Sequence, residues 1–247
     1  MTGASSGIGR ATALRLGRDG YSVCVNYYSD REAADADAVV RDIDPDGVRS
    51  YSARADVSSE HDVITMVSDL LERWRSLDLL VNNAGIERQR SLIHMDLETW
   101  NAILATNLTG TFLCMREAAR IMIQQHHGVI VNISSVHEYI PWPGFAHYCA
   151  SKAGVKLLME TASKELAPSG VRVLNIAPGA IATPINASVL EDEQARHAVV
   201  SEVPLGRFGT ADEIAAAVAW AASDEASYLT GTTITIDGGM STYPRFV

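Results

Sequence analysis

Tyr148 and Lys152 carry the side chains in this chain best placed for chemistry, with Ser135 upstream and the string Thr2-Gly3-Ala4-Ser5-Ser6-Gly7-Ile8-Gly9 near the start. On a helix, positions i and i+4 share a face, so a phenol and an ammonium project together into one site. A tyrosine normally titrates near ~10. A cation about 5 Å away, at an effective dielectric of ~20, stabilises the phenolate by roughly 3 kcal/mol. That is roughly a hundredfold in acidity, and such a phenol can exchange a proton with an alcohol or a carbonyl. Taken alone, Tyr-x-x-x-Lys is also an ordinary helix-surface pair. The glycine string and Ser135 favour the chemical reading.

The glycines suggest an anion. Gly3-x-x-x-Gly7-x-Gly9 lets the backbone turn tightly and approach a pyrophosphate. Ser5 and Ser6 lie inside that turn, and a helix starting near Ile8 aims its first amides at the same point. Three further segments fall where strands are expected to end, at the carboxyl edge where open α/β sheets bind ligands. Asp56-Val57 offers a carboxylate to an adenine amino group. Asn82-Asn83-Ala84-Gly85 forms a second turn. Pro178-Gly179, with Ile181 and Thr183, places backbone groups near a nicotinamide carboxamide.

The elements that must position these residues follow from alternating apolar patterns. Strands are expected at Ser22–Asn26, Val48–Ala53, Leu77–Val81, Val129–Ser134, Val171–Ala177 and Thr232–Ile236. Helices are expected at Ile8–Arg18, Arg31–Asp42, Glu60–Arg75, Leu97–Gln125, Ala146–Leu166 and Asp212–Ser223. Short Val/Ile-rich strands between amphipathic helices predict an α/β fold, a doubly wound parallel sheet in a single domain spanning 1–247. Residues 184–204 form a short helical insertion of the kind that covers a substrate. In a dinucleotide-binding unit the glycine turn follows a central strand. No segment ahead of Thr2 supplies one, so the native start is expected upstream of Met1, or another segment fills the gap.

Composition narrows the function classes. Net charge is −10, and no Lys/Arg cluster stands out, which argues against nucleic acid as a partner. No apolar run is long enough for a membrane span, and the N-terminus lacks a secretory pattern. Cys24, Cys114 and Cys149 have no C-x-x-C spacing and read as free thiols in a reducing cytoplasm. Cys149 reads as packing, and His126-His127 as helix-end charge rather than a metal site. No metal is expected.

Together the glycine string, Asn-Asn-Ala-Gly, Ser135 and Tyr-x-x-x-Lys resemble the short-chain dehydrogenase/reductase family over almost the whole chain. The resemblance implies a catalytic tetrad of Asn107, Ser135, Tyr148 and Lys152. Asn107 would hold a water in a proton relay, and Ser135 would hydrogen-bond the substrate oxygen. Tyr148 would act as general acid/base. Lys152 would lower the phenol's pKa and hold the nicotinamide ribose. The strings His137-Glu138-Tyr139-Ile140-Pro141-Trp142-Pro143, Pro178 to Asn186 and Asp237 to Pro244 are similar to a bacterial glucose 1-dehydrogenase branch of the family. That likeness implies oxidation of β-D-glucose at C1 to the 1,5-lactone, with hydride transfer to NAD(P)+, in a homotetramer. Another reductase of the same fold, such as a 3-oxoacyl-carrier-protein reductase, is the alternative.

A sugar needs partners for its hydroxyls, because each left unpaired costs ~1–3 kcal/mol. Glu87, His137 and Asn186 are the candidate contacts, with Trp142 as an apolar surface. Each has a plainer reading: a solvated loop acid, a loop histidine, a cap on the insertion helix and a rigid packing residue. An acid ending the strand before Tyr28 would repel a 2′-phosphate. The chain has Asn26-Tyr27-Tyr28-Ser29 there, with Arg10 and Arg31 nearby, so NADP is expected, with NAD also accepted.

Overall fold

In the computed structural model, which describes residues 1–242, strands and helices alternate from end to end. The first half runs α1 (Gly7–Arg18), β1 (Cys24–Tyr27), α2 (Ala33–Ile43), β2 (Tyr51–Arg54), α3 (Glu60–Trp74) and β3 (Leu79–Asn82). Next come α4 (Leu97–Leu104), α5 (Gly110–Gln125), β4 (Gly128–Ile133), α6 (Ala146–Leu166) and β5 (Val171–Pro178). The last elements are α7 (Ala187–Glu191), α8 (Glu193–Ser201), α9 (Ala211–Ala222) and β6 (Thr233–Ile236). Tyr243 and Pro244, from the distinctive ending, lie outside the described residues.

Every strand pair is parallel, and each strand divides its side chains between two cores. Val81, Val131 and Leu174 join α1, α2 and α9 through Leu16, Val39, Ile214 and Val218. Their chain neighbours Leu80, Ile130 and Val173 join α3, α5 and α6 through Val63, Met122 and Met159. The two-residue period of a strand puts successive side chains on opposite faces, so one Val/Ile-rich run serves both layers. This is the expected doubly wound architecture.

The sheet is in two parts, β1-β2 and β3-β4-β5-β6. Among the described residues no strand precedes the glycine turn. The backbone of Met1 to Ala4 bridges the two parts instead. Asn26 N–H donates to Met1 O at 3.1 Å, Thr2 N–H to Val81 O at 3.0 Å and Ala4 N–H to Asn26 O at 2.8 Å. The Met1 amino group donates to Cys24 O at 3.1 Å, and burial lowers its pKa.

Side chains cap the starts of α3, α4, α8 and α9. Ser59, Asp96 and Asp192 each accept a first-turn amide, and Thr210 with Glu213 forms a full capping box. At α1 the N-cap residue Ser6 makes no such bond. The long helix expected over Leu97–Gln125 is interrupted. Residues Ala105–Thr109 form a π turn between α4 and α5, centred on buried Asn107. One wider turn is a local insertion in the helical ladder, a device found often at functional sites.

Candidate active site

The π turn aims Asn107 at the loop that follows β3. Its Oδ1 accepts from Ile86 N–H at 2.9 Å. Its Nδ2 donates to Ile86 O at 2.9 Å and to Ser151 Oγ at 3.2 Å. Asn107 thus ties the Asn-Asn-Ala-Gly loop to α6, one residue from Lys152. Ser135 is buried at the end of β4 in extended conformation, and its Oγ accepts from His137 N–H at 3.2 Å. Tyr148 and Lys152 sit on one face of α6, as their spacing predicts, with Lys152 Nζ 5.5 Å from the phenol ring centroid. The ammonium donates to Ile133 O at 2.9 Å, which ties it to the strand carrying Ser135. The four expected tetrad residues converge.

Their electrostatics differ from the simple expectation. The protein packed around Tyr148 raises its pKa well above the ordinary tyrosine value; a hydrogen bond with Ser135 opposes this, and the charges of Glu87 and Cys149 add to it. Lys152, 5.5 Å from the ring centroid, is not among the groups that lower it. Burial instead pulls the Lys152 ammonium down to about 8, while Glu138 and Glu87 push it back up. The phenol is therefore protonated and the lysine poised to titrate near neutrality.

Across the crevice lies the glycine turn. Gly3 and Gly7 have φ of +58° and +53°, which glycine adopts without strain. A Cβ on Gly9 would stand 2.0 Å from Gly3 O and 2.6 Å from Asn83 Nδ2. Gly7 faces Thr183 and Pro184, with a built Cβ 3.5 Å from Thr183 Cβ. The uncapped amides at the start of α1, next to Ser5, Ser6 and Ile8, open between these segments. This fits the pyrophosphate of a dinucleotide.

At several of the expected cofactor-contact residues the side chain turns inward. Asn83 donates through Nδ2 to Thr2 O at 3.1 Å and Gly3 O at 2.8 Å. Thr2 Oγ1 accepts from Asn83 and Ala84 N–H at 2.9 and 3.1 Å. This segment therefore holds the glycine turn in shape, leaving Gly85 exposed beyond it. Val57 is core, packed against Gly110. One oxygen of Asp56 is held by Ser58, through its N–H at 2.9 Å and its Oγ at 2.7 Å. Buried Pro178 ends β5, and Gly179 donates to Ile236 O at 3.0 Å. The Ile181 side chain is buried and the residue is bridged to Gly209, while Thr183 lies against Gly7 of the glycine turn.

Asn26 is likewise not at a ribose. It is 2% exposed, and its amide joins Gly3 N–H (3.1 Å) to Ala55 O (3.0 Å). Arg10 pairs with Asp42 at 3.1 Å. The sequence reading missed Glu32, whose carboxylate accepts from Tyr28 N–H at 3.1 Å and from Ser5 Oγ and Ser29 Oγ at 3.4 Å each. The string Ser29-x-x-Glu32 was its signal, as a helix-start pattern.

On the substrate side, Glu87 is half-buried and its carboxyl pKa is raised by desolvation, partly offset by Lys152. His137 stacks on Trp142, with centroids 4.4 Å apart and planes at 10°, and Trp142 stacks in turn on Phe145 at 3.7 Å. Tyr148 meets His137 and Trp142 edge-on at 6.2 and 6.1 Å. His137 Nδ1 lies 3.1 Å from Ile140 O, and burial lowers the imidazole's pKa. Asn186 spends its Nδ2 on Ile181 O at 2.8 Å. No group of three or more His, Cys, Asp or Glu suited to a metal occurs among the described residues. All three cysteines are free, and no helix among the described residues is long and apolar enough to cross a membrane.

This geometry agrees with what the chain is similar to. The family model described as enoyl-(acyl carrier protein) reductase matches residues 3–241. The chain belongs to this family of short-chain dehydrogenases/reductases. Among relatives of this short-chain dehydrogenase/reductase is 3beta-hydroxysteroid dehydrogenase 1 of Eggerthella lenta, 45% identical over 247 residues, covering 100% of the chain and 94% of the relative. The 3-oxoacyl-[acyl-carrier-protein] reductase FabG of Staphylococcus aureus is 43% identical over 240 residues, covering 97% and 96%. A solved gluconate 5-dehydrogenase from Burkholderia cenocepacia, in complex with NADP and tartrate, superposes with a TM-score of 0.92 at 30% identity, covering 98% and 94%. The chain is an oxidoreductase of that family.

Proposed function

We propose that this oxidoreductase interconverts a ring-borne alcohol and its carbonyl with NAD(P), its substrate being β-D-glucose or a related aldose oxidised at C1 to the 1,5-lactone. The observation carrying this reading is the convergence of Ser135, Tyr148 and Lys152 beneath the flat His137–Trp142 stack. The bound dinucleotide supplies hydride acceptance or donation; the chain must do the rest. Ser135 orients the reacting oxygen, and Tyr148 exchanges a proton with it. Lys152, while it carries its proton, favours the phenolate against the burial that opposes it. Asn107, by fixing the Ile86 backbone beside Lys152, holds the exit for that proton open to water.

A pyranose ring presents an apolar face and a polar rim. The His137–Trp142–Phe145 stack, whose inner faces cover one another, offers an aromatic wall to the first, and Glu87, His137 and Asn186 are the candidates for the second. Asn186 would contribute through its oxygen or its second Nδ2 hydrogen, because one hydrogen is committed to Ile181 O. The same flat wall also suits a steroid alcohol, the substrate class in the name of the 45% identical relative. A 3-oxoacyl thioester, the class in the name of the 43% identical one, would need a basic rim for its phosphopantetheine arm. The insertion carries Glu191, Asp192 and Glu193 instead.

With Asn26 turned inward no acid ends β1 to exclude NADP, whereas the Glu32 carboxylate beside Ser5 favours NAD. We further propose that α7 and α8 cover the substrate, and that the protein is a cytoplasmic homotetramer. Exposed Phe112 on α5 and Leu157 on α6 are suited to subunit contact. The test is an activity panel of glucose, gluconate and a 3β-hydroxysteroid with each oxidised cofactor, and acetoacetyl thioester with each reduced one. Turnover of glucose is expected. Activity confined to the thioester would remove the sugar reading.

A further inference from the structure

The catalytic serine turn contains a carboxylate that the proposed chemistry does not use. Glu138 lies three residues past Ser135, in the 3-10 turn Val136–Glu138, and is 7% exposed. Its Oε2 accepts from Ser134 Oγ at 2.5 Å and from Asn175 Nδ2 at 3.5 Å. Its Oε1 is buried and has no hydrogen-bond partner.

Asn175 is itself one of a row. Asn82, Asn132 and Asn175 stand in register on β3, β4 and β5. Asn82 Nδ2 donates to Asn132 Oδ1 at 2.9 Å, and Asn132 Nδ2 to Asn175 Oδ1 at 2.9 Å. The row runs from the strand end that begins the Asn-Asn-Ala-Gly loop to the turn that carries Ser135, and Glu138 terminates it. Burying a carboxylate with one oxygen unpaired is costly, and an apolar residue of similar size would be cheaper for stability alone.

We infer that Glu138 is a positioning residue for this site: its buried carboxylate ties the Ser135 turn to strand β5 and sets a fixed negative charge near the Lys152 ammonium. The connection is short. Lys152 Nζ donates to Ile133 O, and Ile133 is peptide-bonded to Ser134, the residue Glu138 holds. The other ionisable groups around this pair are Glu87 from the loop after β3, Tyr148 and Lys156 from α6, and Tyr139 next to Glu138. Of the two carboxylates that favour the charged lysine, Glu138 contributes more than Glu87. The inference rests on the roles proposed for Ser135 and Lys152.

Lysine occurs only at positions 152, 156 and 164, so NMR of 13C-lysine-labelled protein resolves Lys152 without any substrate. Wild type is expected to titrate at Lys152 near 8. Glu138→Gln should lower that midpoint by roughly one pH unit and leave Lys164 unmoved. With whichever substrate the panel identifies, kcat should fall about tenfold or more while the cofactor KM changes less than threefold. The alkaline limb of the pH profile should move toward acid with the lysine midpoint.

An unchanged Lys152 midpoint, or a lower melting temperature with a wild-type pH profile, overturns the inference. Ser134→Ala keeps the charge and removes only one hydrogen bond, so it covers the case in which Glu138→Gln does not fold. It should lower kcat severalfold without moving the midpoint, and a wild-type kcat there refutes the anchoring of the turn. Failure of the catalytic reading itself would be distinct, because Tyr148→Phe would then keep full activity.

Discussion

Tyr148→Phe deletes one oxygen from a phenol that touches Ser135 and faces Lys152. Turnover should fall by about a thousandfold, within the usual range for loss of a positioned acid/base. Fluorescence titration should show dinucleotide affinity within threefold of wild type. A variant that retains more than a tenth of wild-type kcat would remove Tyr148 from the proton transfer. The shared face of Tyr148 and Lys152 was legible in their helix spacing, whereas Ser135 and Asn107 were reached through the family resemblance. What the chain order concealed was the direction of individual side chains. The side chains of Asn83, Val57 and Ile181 satisfy backbone groups or fill the core, which leaves their backbone groups for any ligand contact. Glu138 was hidden for a different reason. Its burial depends on Asn175, a partner on another strand.

The glycine turn sets the next scale. A methyl group at Gly9 would collide with Gly3 O and the Asn83 amide, neither of which can retreat without disturbing the other. Gly9→Ala should cost ~1–3 kcal/mol, as overpacking does, and also weaken dinucleotide binding. Urea unfolding with a cofactor titration measures both. A variant with wild-type values would mean that the turn can widen freely. Strands and helices were found from alternating apolar runs, but their ends shifted by up to three residues, as at β2, because ladder hydrogen bonds rather than side-chain types decide where pairing stops. The π turn left no such pattern. Its cause is Asn107 reaching Ile86, a contact between distant segments.

For the molecule as a whole, buried His147 contributes to acid sensitivity. It is fully buried, and its Nδ1 accepts from Tyr148 N–H at 2.9 Å. Desolvation lowers its pKa, which backbone hydrogen bonding at Phe145 and Arg88 only partly opposes. The folded state therefore binds fewer protons than the unfolded one near pH 6. The stability from this site is complete above the unfolded histidine value of ~6.5 and is lost as pH falls through that value toward the lowered folded one. His137 has the same sign. His127, raised by its bond to Asp78, has the opposite sign but is exposed and screened. Unfolding at pH 7.5 and 5.5 should show a smaller loss for His147→Asn than for wild type. Equal losses would place the acid sensitivity elsewhere.

The division of the sheet affects how the protein yields to heat. The β1-β2 ribbon shares its cores with the four-stranded sheet through Val25 and Cys24, but its backbone is joined to it by the Met1 to Ala4 bridge rather than by a strand ladder, and Asn26 also braces Gly3. Such a bridge has fewer backbone hydrogen bonds to lose than a continuous ladder and opens more readily. Warming should therefore loosen the grip on the adenine half of the dinucleotide while the serine–tyrosine side is still assembled, so that cofactor saturation, rather than the catalytic machinery, sets the upper working temperature.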